Sequence, residues 1–353
     1  MIQGQTAISF LGFSFSNLQY PLVTIILGAA IIAIFFYSLH LKVTELVLNN
    51  FQPTDPWIPE AELVLLTGGS SGIGKQLMSD LARQRIRIVM LDIQPPPFDL
   101  PDGVSFYKTD ITSAEAIAAV ATRIRDTHGD PTVLVSNAGV FHHGSILEKP
   151  EQEIRQTFDV NAIAPFLLLK EFLPALIRAN RGHVITIASM ASFVAVGEMV
   201  DYCCSKASML AFYEGLRLEL KYWYHALNVR TRLATVSFYI YMFPLEYIWL
   251  FLVDDSCSIV HPLWVETPMI KGFTDHRTIF GQSIMSPSTV SEAIIDHLVS
   301  RKSGPILLPR TLSLAGALRA LPLWLQEYVR AYFSKVVRRV SDARAAGKVQ
   351  ERS

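Results

Sequence analysis

The chain has 353 residues, 50% of them apolar, and its 31 basic and 31 acidic side chains leave no net charge. That length suits one large α/β domain with appendages at its ends, and the neutral balance excludes a partner recognised through negative charge, such as nucleic acid. Three cysteines, Cys203, Cys204 and Cys257, make no paired framework and lack zinc-ligand spacing, which excludes a disulfide scaffold and suits a reducing compartment.

The first 41 residues contain no Asp, Glu, Lys or Arg, and Tyr20–Leu39 is a nearly unbroken apolar run. About 20 residues span a bilayer core as a helix, so the run predicts a transmembrane anchor. A cleaved signal peptide competes with that reading, but no basic region precedes the run and no clear small-residue cleavage site follows it. Lys42, the first cation, lies just after the run, and the positive-inside rule then puts the bulk of the chain on the cytosolic side of a membrane. A linker containing Pro53, Pro56 and Pro59 completes an anchor-and-linker region over 1–61.

From Glu62 onward, short β-branched runs alternate with helical patterns, the signature of βαβ units. Seven strands are expected: Leu63–Thr67, Ile86–Asp92, Ser105–Asp110, Thr132–Ser136, His183–Ala188, Val229–Val236 and Pro305–Leu308. Helices are expected between them, among them Ala114–Arg125 behind the caps Thr112 and Ser113, and Asp201–Tyr224. The fold class is therefore α/β, a Rossmann-type doubly wound parallel sheet of seven strands over 62–310, with an N-terminal transmembrane helix.

Two stretches interrupt the pattern. Ser237–Val260 is apolar and aromatic, and Val229–Val236 would join His261-Pro262-Leu263-Trp264-Val265-Glu266-Thr267-Pro268-Met269 smoothly without it. It reads either as a translated intron or as a hydrophobic flap dipping into a membrane. Over 311–353, Leu312–Phe333 mixes Leu, Trp and Tyr with spaced Arg, followed by a basic tail with Lys335, Arg338 and Arg339. This segment suits either a membrane interface or a helix pair closing the domain.

The residues with chemistry start at the first strand, which runs through Gly68, Gly72 and Gly74 into a helix. Glycines there allow a tight turn and let the backbone approach a pyrophosphate seated on the helix N-terminus. Asp92 ends the second strand 24 residues after Gly68, the interval at which a carboxylate reaches the ribose hydroxyls of NAD. No Arg follows it to neutralise an extra phosphate, so NAD(H) is favoured over NADP(H). Tyr202 and Lys206 stand four apart on one predicted helix face. An ammonium and a positive nicotinamide ring would bring the phenol, ordinarily near pKa 10, toward the working range. Ser189 closes the fifth strand, where its hydroxyl could hydrogen-bond the reacting oxygen. His142 and His143, in a polar loop, read as solvated residues and not metal ligands; Cys203 and Cys204 read as small packing residues.

Together these motifs resemble the short-chain dehydrogenase/reductase superfamily over Glu62–Pro309. Thr67-Gly68-Gly69-Ser70-Ser71-Gly72-Ile73-Gly74 is similar to its cofactor turn, and Asp110, followed by Ile111, matches the acidic residue near the adenine. Asn137-Ala138-Gly139 matches the segment stabilising the central sheet. Asn161, Ser189, Tyr202 and Lys206 match the catalytic tetrad, and Pro262 with Thr267 matches the turn that contacts the nicotinamide carboxamide. The resemblance implies Tyr202 as proton donor or acceptor and Lys206 as the group that lowers its pKa and holds the nicotinamide ribose. It implies Ser189 as the orienter of the substrate oxygen, Asn161 as the holder of a relay water, and direct hydride transfer with no metal. Within the superfamily the anchor, Asp92 and the His261–Met269 turn look most like retinol and hydroxysteroid dehydrogenases of the endoplasmic reticulum and lipid droplets. That likeness implies a lipophilic substrate (retinoid, steroid or long-chain lipid), contact with membrane lipid, and homodimer faces on helices around Ile154–Leu176 and Asp201–Tyr224. A keto-lipid reductase and a catalytically silent nucleotide-binding membrane protein are the alternatives, the latter if the 237–260 segment displaces the Pro262 turn.

Overall fold

The computed structural model describes residues 50–52, 56–230, 258–262, 264–270, 284–301, 306–308, 318 and 321–350, together with short stretches between 9 and 43. The chain divides into two compact units, Met1–Leu46 and Val47–Ser353.

In the first unit Ser9–Phe10 pairs antiparallel with Phe13–Ser14, and an apolar helix covers Ala30–Leu39. Ile31, Ile34 and Phe35 on that helix are exposed. Ten residues reach about half a bilayer core. Most of Tyr20–Ala29 lies outside the described residues.

The second unit is built on a parallel sheet. Its strands are β1 (Leu63–Thr67), β2 (Arg87–Asp92), β3 (Val104–Lys108), β4 (Val133–Ser136), β5 (Gly182–Ile187), β6 (Val229–Arg230), β7 (Ser258–Pro262) and β8 (Ile306–Leu308). They lie in the order β8-β7-β5-β4-β1-β2-β3, with β6 paired to β5. The direction of travel reverses between β1 and β4, and the crevice beyond their carboxyl ends is where a doubly wound sheet binds ligands.

Alternation along each strand sends successive side chains to opposite faces. Leu63, Leu65, Val89 and Leu91 pack on one side with α2 (Ala114–His128), α4 (Ala164–Ala179) and α5 (Val200–Leu218). Val64, Leu66, Ile88 and Met90 pack on the other with α1 (Gly72–Arg83) and α6 (Pro287–Val299). Both faces are covered, which is why β1 reads as a continuous apolar run. Ser113 caps α2 by accepting from the Ala116 N–H, and Gly129, at φ 87°, follows the helix at His128, three residues past the expected end.

Helix α3 (Glu151–Phe158) passes through a π-helical turn at Asp159–Ile163 into α4. By composition this 29-residue run could cross a membrane. Leu168, Phe172 and Leu176 nonetheless bury it in the core of the sheet's first face.

Three expectations change. The strand expected over Val229–Val236 pairs with β5 at Val229 and Arg230, residues 231–257 lie outside the described ones, and Ser258–Val260 pair with Ile185–Ile187. Eight segments thus enter the sheet where seven strands were expected, and Ser258–Val260, counted in the 237–260 insertion, are ladder residues. Ser258-Ile259-Val260 is as compatible with a strand as Ala234-Thr235-Val236, and either run leads into His261. Finally, Lys335, Arg338 and Arg339 form no free tail: they lie on α7 (Leu323–Gln350), whose Val336, Val337 and Val340 are buried. The segment 311–353 falls in the same compact unit as the sheet.

Candidate active site

The turn after β1 is held by side chains at the end of β4. The Thr67 hydroxyl accepts from the N–H groups of Asn137 and Ala138, both at 3.0 Å, and Asn137 Nδ2 donates back to the carbonyls of Thr67 and Gly68 at 2.9 Å. A Cβ on Gly74 would stand 2.1 Å from the Gly68 carbonyl oxygen, and one on Gly68, at φ 70°, would stand 2.8 Å from Ala138 Cα. The turn closes only because these positions lack side chains. Ser71, the N-cap of α1, makes no side-chain cap, so the first-turn N–H groups of Gly72, Ile73 and Gly74 remain for an anion.

A cavity of about 930 Å³ runs from this turn across the switch point. Gly68, Ser71, Gly72, Ile73, Asp92, Asp110, Ile111, Asn137, Ala138, Gly139 and Thr267 line it, and Ser189, Tyr202 and Lys206 stand in the same wall. Thr67 and Ser70 act from behind. The Ser70 N–H donates to Asp92 Oδ2 at 3.0 Å, and its hydroxyl donates to the Gln94 carbonyl at 2.8 Å. The Gln94 N–H holds the other Asp92 oxygen at 3.1 Å, so the carboxylate has one orientation. Asp110 Oδ1 accepts from the Thr112 N–H and hydroxyl, which starts the turn into α2. Pro262 ends β7 opposite Leu308, and a Cβ on Gly72 would meet Thr267 Cγ2 at 3.0 Å. This is a cradle for a dinucleotide: an anion-accepting helix end, a fixed carboxylate beyond it, and glycines where the backbone must come close.

At the far end the π-helical turn swings Asn161 toward Val140. Asn161 Oδ1 accepts from the Val140 N–H at 2.8 Å, and Nδ2 donates to the Val140 carbonyl at 2.9 Å and to Ser205 Oγ at 3.2 Å. Both amide hydrogens are committed, so the side chain fastens the Val140 loop to α5. Ser189 hydrogen-bonds Tyr202. Lys206 Nζ donates to the Ile187 carbonyl at 2.9 Å and lies 5.7 Å from the centroid of the Tyr202 ring.

Desolvation dominates the electrostatics of these side chains. Burial pushes the Tyr202 phenol up to about 12, against the opposing pull of the Ser189 hydrogen bond, and burial alone brings Lys206 down to about 8. Burial disfavours the charged form of each, which raises a phenol and lowers an ammonium. Cys203, buried beside them, is pushed up to about 11 by the same desolvation, and Cys204 is exposed.

Apolar groups wall the other side of Tyr202. Its ring meets Phe141 edge-on at 5.3 Å, and Met199, Val196, Trp264, Ile284 and the α7 valines complete that cluster. The sequence places variable loops around Phe141–Leu147, Phe193–Met199 and Lys271–Ser286 about the substrate pocket, and residues 271–283 of the last lie outside the described ones. Three groups passed over in the sequence stand at this edge. Lys149 is joined to Asp201 at 2.5 Å, and Glu198 is joined to His143 at 2.9 Å and to Arg338 at 3.2 Å. Only Asp201, adjacent to Tyr202, carried any local signal. His142, bonded to Gln156 at 3.0 Å, and His143 are half-buried and tied down, not solvated. Among the described residues no three His, Cys, Asp or Glu side chains converge as for a metal ion.

A family model described as short chain dehydrogenase matches residues 62–231. Dehydrogenase RED2 of Cochliobolus heterostrophus is 40% identical over 211 residues, which cover 59% of this chain and 80% of that protein. Dehydrogenase RED3 of the same organism is 48% identical over 130 residues, 37% of this chain and 66% of that protein. Estradiol 17-beta-dehydrogenase 11 of Homo sapiens is 33% identical over 167 residues, 45% of this chain; the match spans little more than half of that protein, 56%. A 3-ketoacyl-(acyl-carrier-protein) reductase from Brucella melitensis, solved with NADH, superposes with a TM-score of 0.58 at 16% identity over 71% of this chain and 98% of that one. That likeness is one of fold.

Proposed function

The chain belongs to the short-chain dehydrogenase family, oxidoreductases acting on CH–OH groups with a nicotinamide dinucleotide, and from that premise we propose that it interconverts an alcohol with a ketone or aldehyde on a lipophilic substrate at a membrane. The observation that carries the reading is the convergence of Ser189, Tyr202 and Lys206 in the wall of the cavity that begins at the glycine turn.

The dinucleotide, when bound, takes up or supplies the hydride. In the proposed roles, the first turn of α1 and the glycines receive its pyrophosphate, Asp92 its adenosine ribose, and Asp110 with Ile111 the adenine side. Asp92 favours NAD(H), because a fixed carboxylate repels a ribose phosphate. Tyr202 exchanges a proton with the substrate oxygen. Ser189, already bonded to Tyr202, orients that oxygen and stabilises charge on it. Lys206 supplies the positive charge that a buried phenolate needs, together with the oxidised ring. Asn161 holds the Val140 backbone and so keeps Asn137-Ala138-Gly139 against the cofactor turn.

A lipophilic substrate is supported by the apolar surround of Phe141, Met199, Trp264 and Ile284. Membrane attachment is supported by the exposed apolar helix at Ala30–Leu39, and the Lys42 side by the positive-inside rule, which leaves the catalytic unit cytosolic at the endoplasmic reticulum or a lipid droplet. Exposed Ile163 and Phe166 on the π-helical turn and α4, with Leu218 at the end of α5, support homodimer faces there.

Hydride transfer by the membrane fraction, measured with NAD and NADP against sterols, retinoids and long-chain alcohols, tests the reading. The comparison is between this chain and a version lacking Ser237–Val260. Activity in the full chain supports the dehydrogenase with a tolerated flap. Activity only in the shortened chain keeps the active site and makes the segment an inhibitory or unspliced insertion, and inactivity of both rejects the enzymatic reading.

A further inference from the structure

Helix α7 buries one face in the domain and carries an ordered stripe on the other. Val329 and Phe333 pack toward Leu318, Met190 and Phe193, and Val336, Val337 and Val340 join the cluster that includes Met199 and Tyr202. Successive helical residues turn by about 100°, so Trp324, Tyr328 and Tyr332, followed by Lys335 and Arg339, share the opposite side. Trp324 is 71% exposed, Tyr328 72% and Tyr332 54%, and Leu321 and Leu323 stand exposed just before them. Lys335 and Arg339 are exposed too. The neighbouring carboxylates are already engaged, Glu327 with Arg330 at 2.7 Å and Asp342 with Arg338 at 3.1 Å. Lys335 and Arg339 have no anionic partner among the described residues.

Docking through the valine face leaves this stripe unused by the fold. Its chemistry selects an occupant. The centre of a protein interface is depleted of lysine, which disfavours a protein partner along a stripe that ends in Lys335 and Arg339. Indole and phenol rings have apolar bodies and polar tips, and such rings followed by cations on one helix face suit a membrane–water boundary. The cations then meet anionic headgroups.

We infer that the outer face of α7 docks on an anionic phospholipid surface, with Trp324, Tyr328 and Tyr332 at the level of the upper acyl chains and Lys335 and Arg339 on the headgroups. The inference deepens the proposed membrane attachment and rests on it. One helix then does two things: its inner valines wall the apolar cluster around Tyr202, and its outer rings hold that cluster beside the lipid from which a lipophilic substrate comes.

The test uses the full chain in vesicles of phosphatidylcholine and phosphatidylserine, with or without bromine on the upper acyl carbons. Bromine quenches an indole that enters the bilayer, and the emission lost in Trp324→Phe isolates Trp324 from the other tryptophans. Bromolipid should remove about half or more of that emission. Tyr328→Trp adds an indole to the same face; it should gain a quenched emission, and it serves if Trp324→Phe does not fold. Lys335→Glu with Arg339→Glu should lower the quenching about twofold or more, as should vesicles of phosphatidylcholine alone. Thermal melts in detergent check that each variant is folded. Equal Trp324 emission with and without bromine, in protein that floats with the vesicles, overturns the inference. Unquenched emission together with cross-linked dimers puts a second copy on this face, and overturns it as well. Quenching indifferent to both the charge reversal and phosphatidylserine overturns the anionic docking. Protein that does not float with the vesicles fails the membrane attachment itself, and the inference falls with it.

Discussion

Lys206 Nζ stands 5.7 Å from the centroid of the Tyr202 ring, one helical turn along α5; Lys206 is buried and Tyr202 partly buried in the cavity wall. Burial acts on them in opposite directions because it disfavours whichever form is charged. The phenol moves up to about 12 and the ammonium down to about 8, so at neutral pH a protonated phenol stands beside a lysine that still carries its charge. In the proposed reaction that charge and a positive nicotinamide ring together draw the phenolate out.

Stability should record this pair. Between about 8 and 10.5 the unfolded lysine binds a proton that the folded one has lost, so Lys206 makes the protein more stable as pH rises through that window, by on the order of 3 kcal/mol in all. Tyr202 works the other way above pH 10, where the folded phenol keeps a proton that the unfolded one has shed, and stability falls. Thermal melts of the full chain across this range should show a rise and then a decline. Lys206→Met should lack the rise; parallel curves for the two proteins would mean Lys206 is not desolvated.

Gly74→Ala should weaken NADH binding at least tenfold. The added Cβ meets the Gly68 carbonyl at 2.1 Å and Asn137 Nδ2 at 2.5 Å, and neither backbone nor the doubly bonded amide can yield without opening the turn. The strain should cost about 1–3 kcal/mol of stability as well. NADH fluorescence titration beside thermal melts checks both, and unchanged affinity would remove the turn from the binding site.

The sheet and its glycine turn were legible because both obey short-range rules: apolar runs bounded by turn residues, and glycines immediately after a strand. The place of Ser258–Val260 in the ladder beside Ile185–Ile187 was not, since that run sits at the end of an apolar stretch and only three of its residues pair there, fewer than a strand-length run. Lys149 and Asp201 lie 52 residues apart, so no local period joins them. The π-helical turn that delivers Asn161 has no sequence signature, and α7 hid its docking because Val336, Val337 and Val340 are interleaved with the basic residues that made the segment look like a tail.

Asp92 should decide between the two cofactors. Its carboxylate is pinned by the N–H groups of Ser70 and Gln94, so it cannot swing away from an added ribose phosphate. Asp92→Asn keeps the side chain's shape and one acceptor while removing the charge, and should improve NADPH binding relative to NADH by about tenfold, near one ordinary charge contact. Fluorescence titration with both nucleotides measures the ratio. A ratio that does not move would place the choice elsewhere.

The C-terminal helix should depend on Glu198. This residue sits in the left-handed region at φ 62°, an unfavourable place for a side chain, and uses the position to reach His143, Arg338 and Ser341 at once. Burial raises its carboxyl, but the Ser341 hydrogen bond, His143 and Arg338 together hold it below the ordinary range, so the latch is present at neutral pH and weakens as acid protonates it. Glu198→Ala removes the contacts and keeps the strain, and should destabilise by about 1–2 kcal/mol. Glu198→Gly removes the contacts but relaxes the backbone, so its net loss should be smaller by up to about 1 kcal/mol. Both should speed amide exchange over Val336–Ser341 to a similar degree, because both free α7 from the loop. Should Glu198→Gly alone leave exchange slow, the ion pairs would not be what fixes the helix over Tyr202, and the faster exchange of Glu198→Ala would come from backbone strain that no contact offsets.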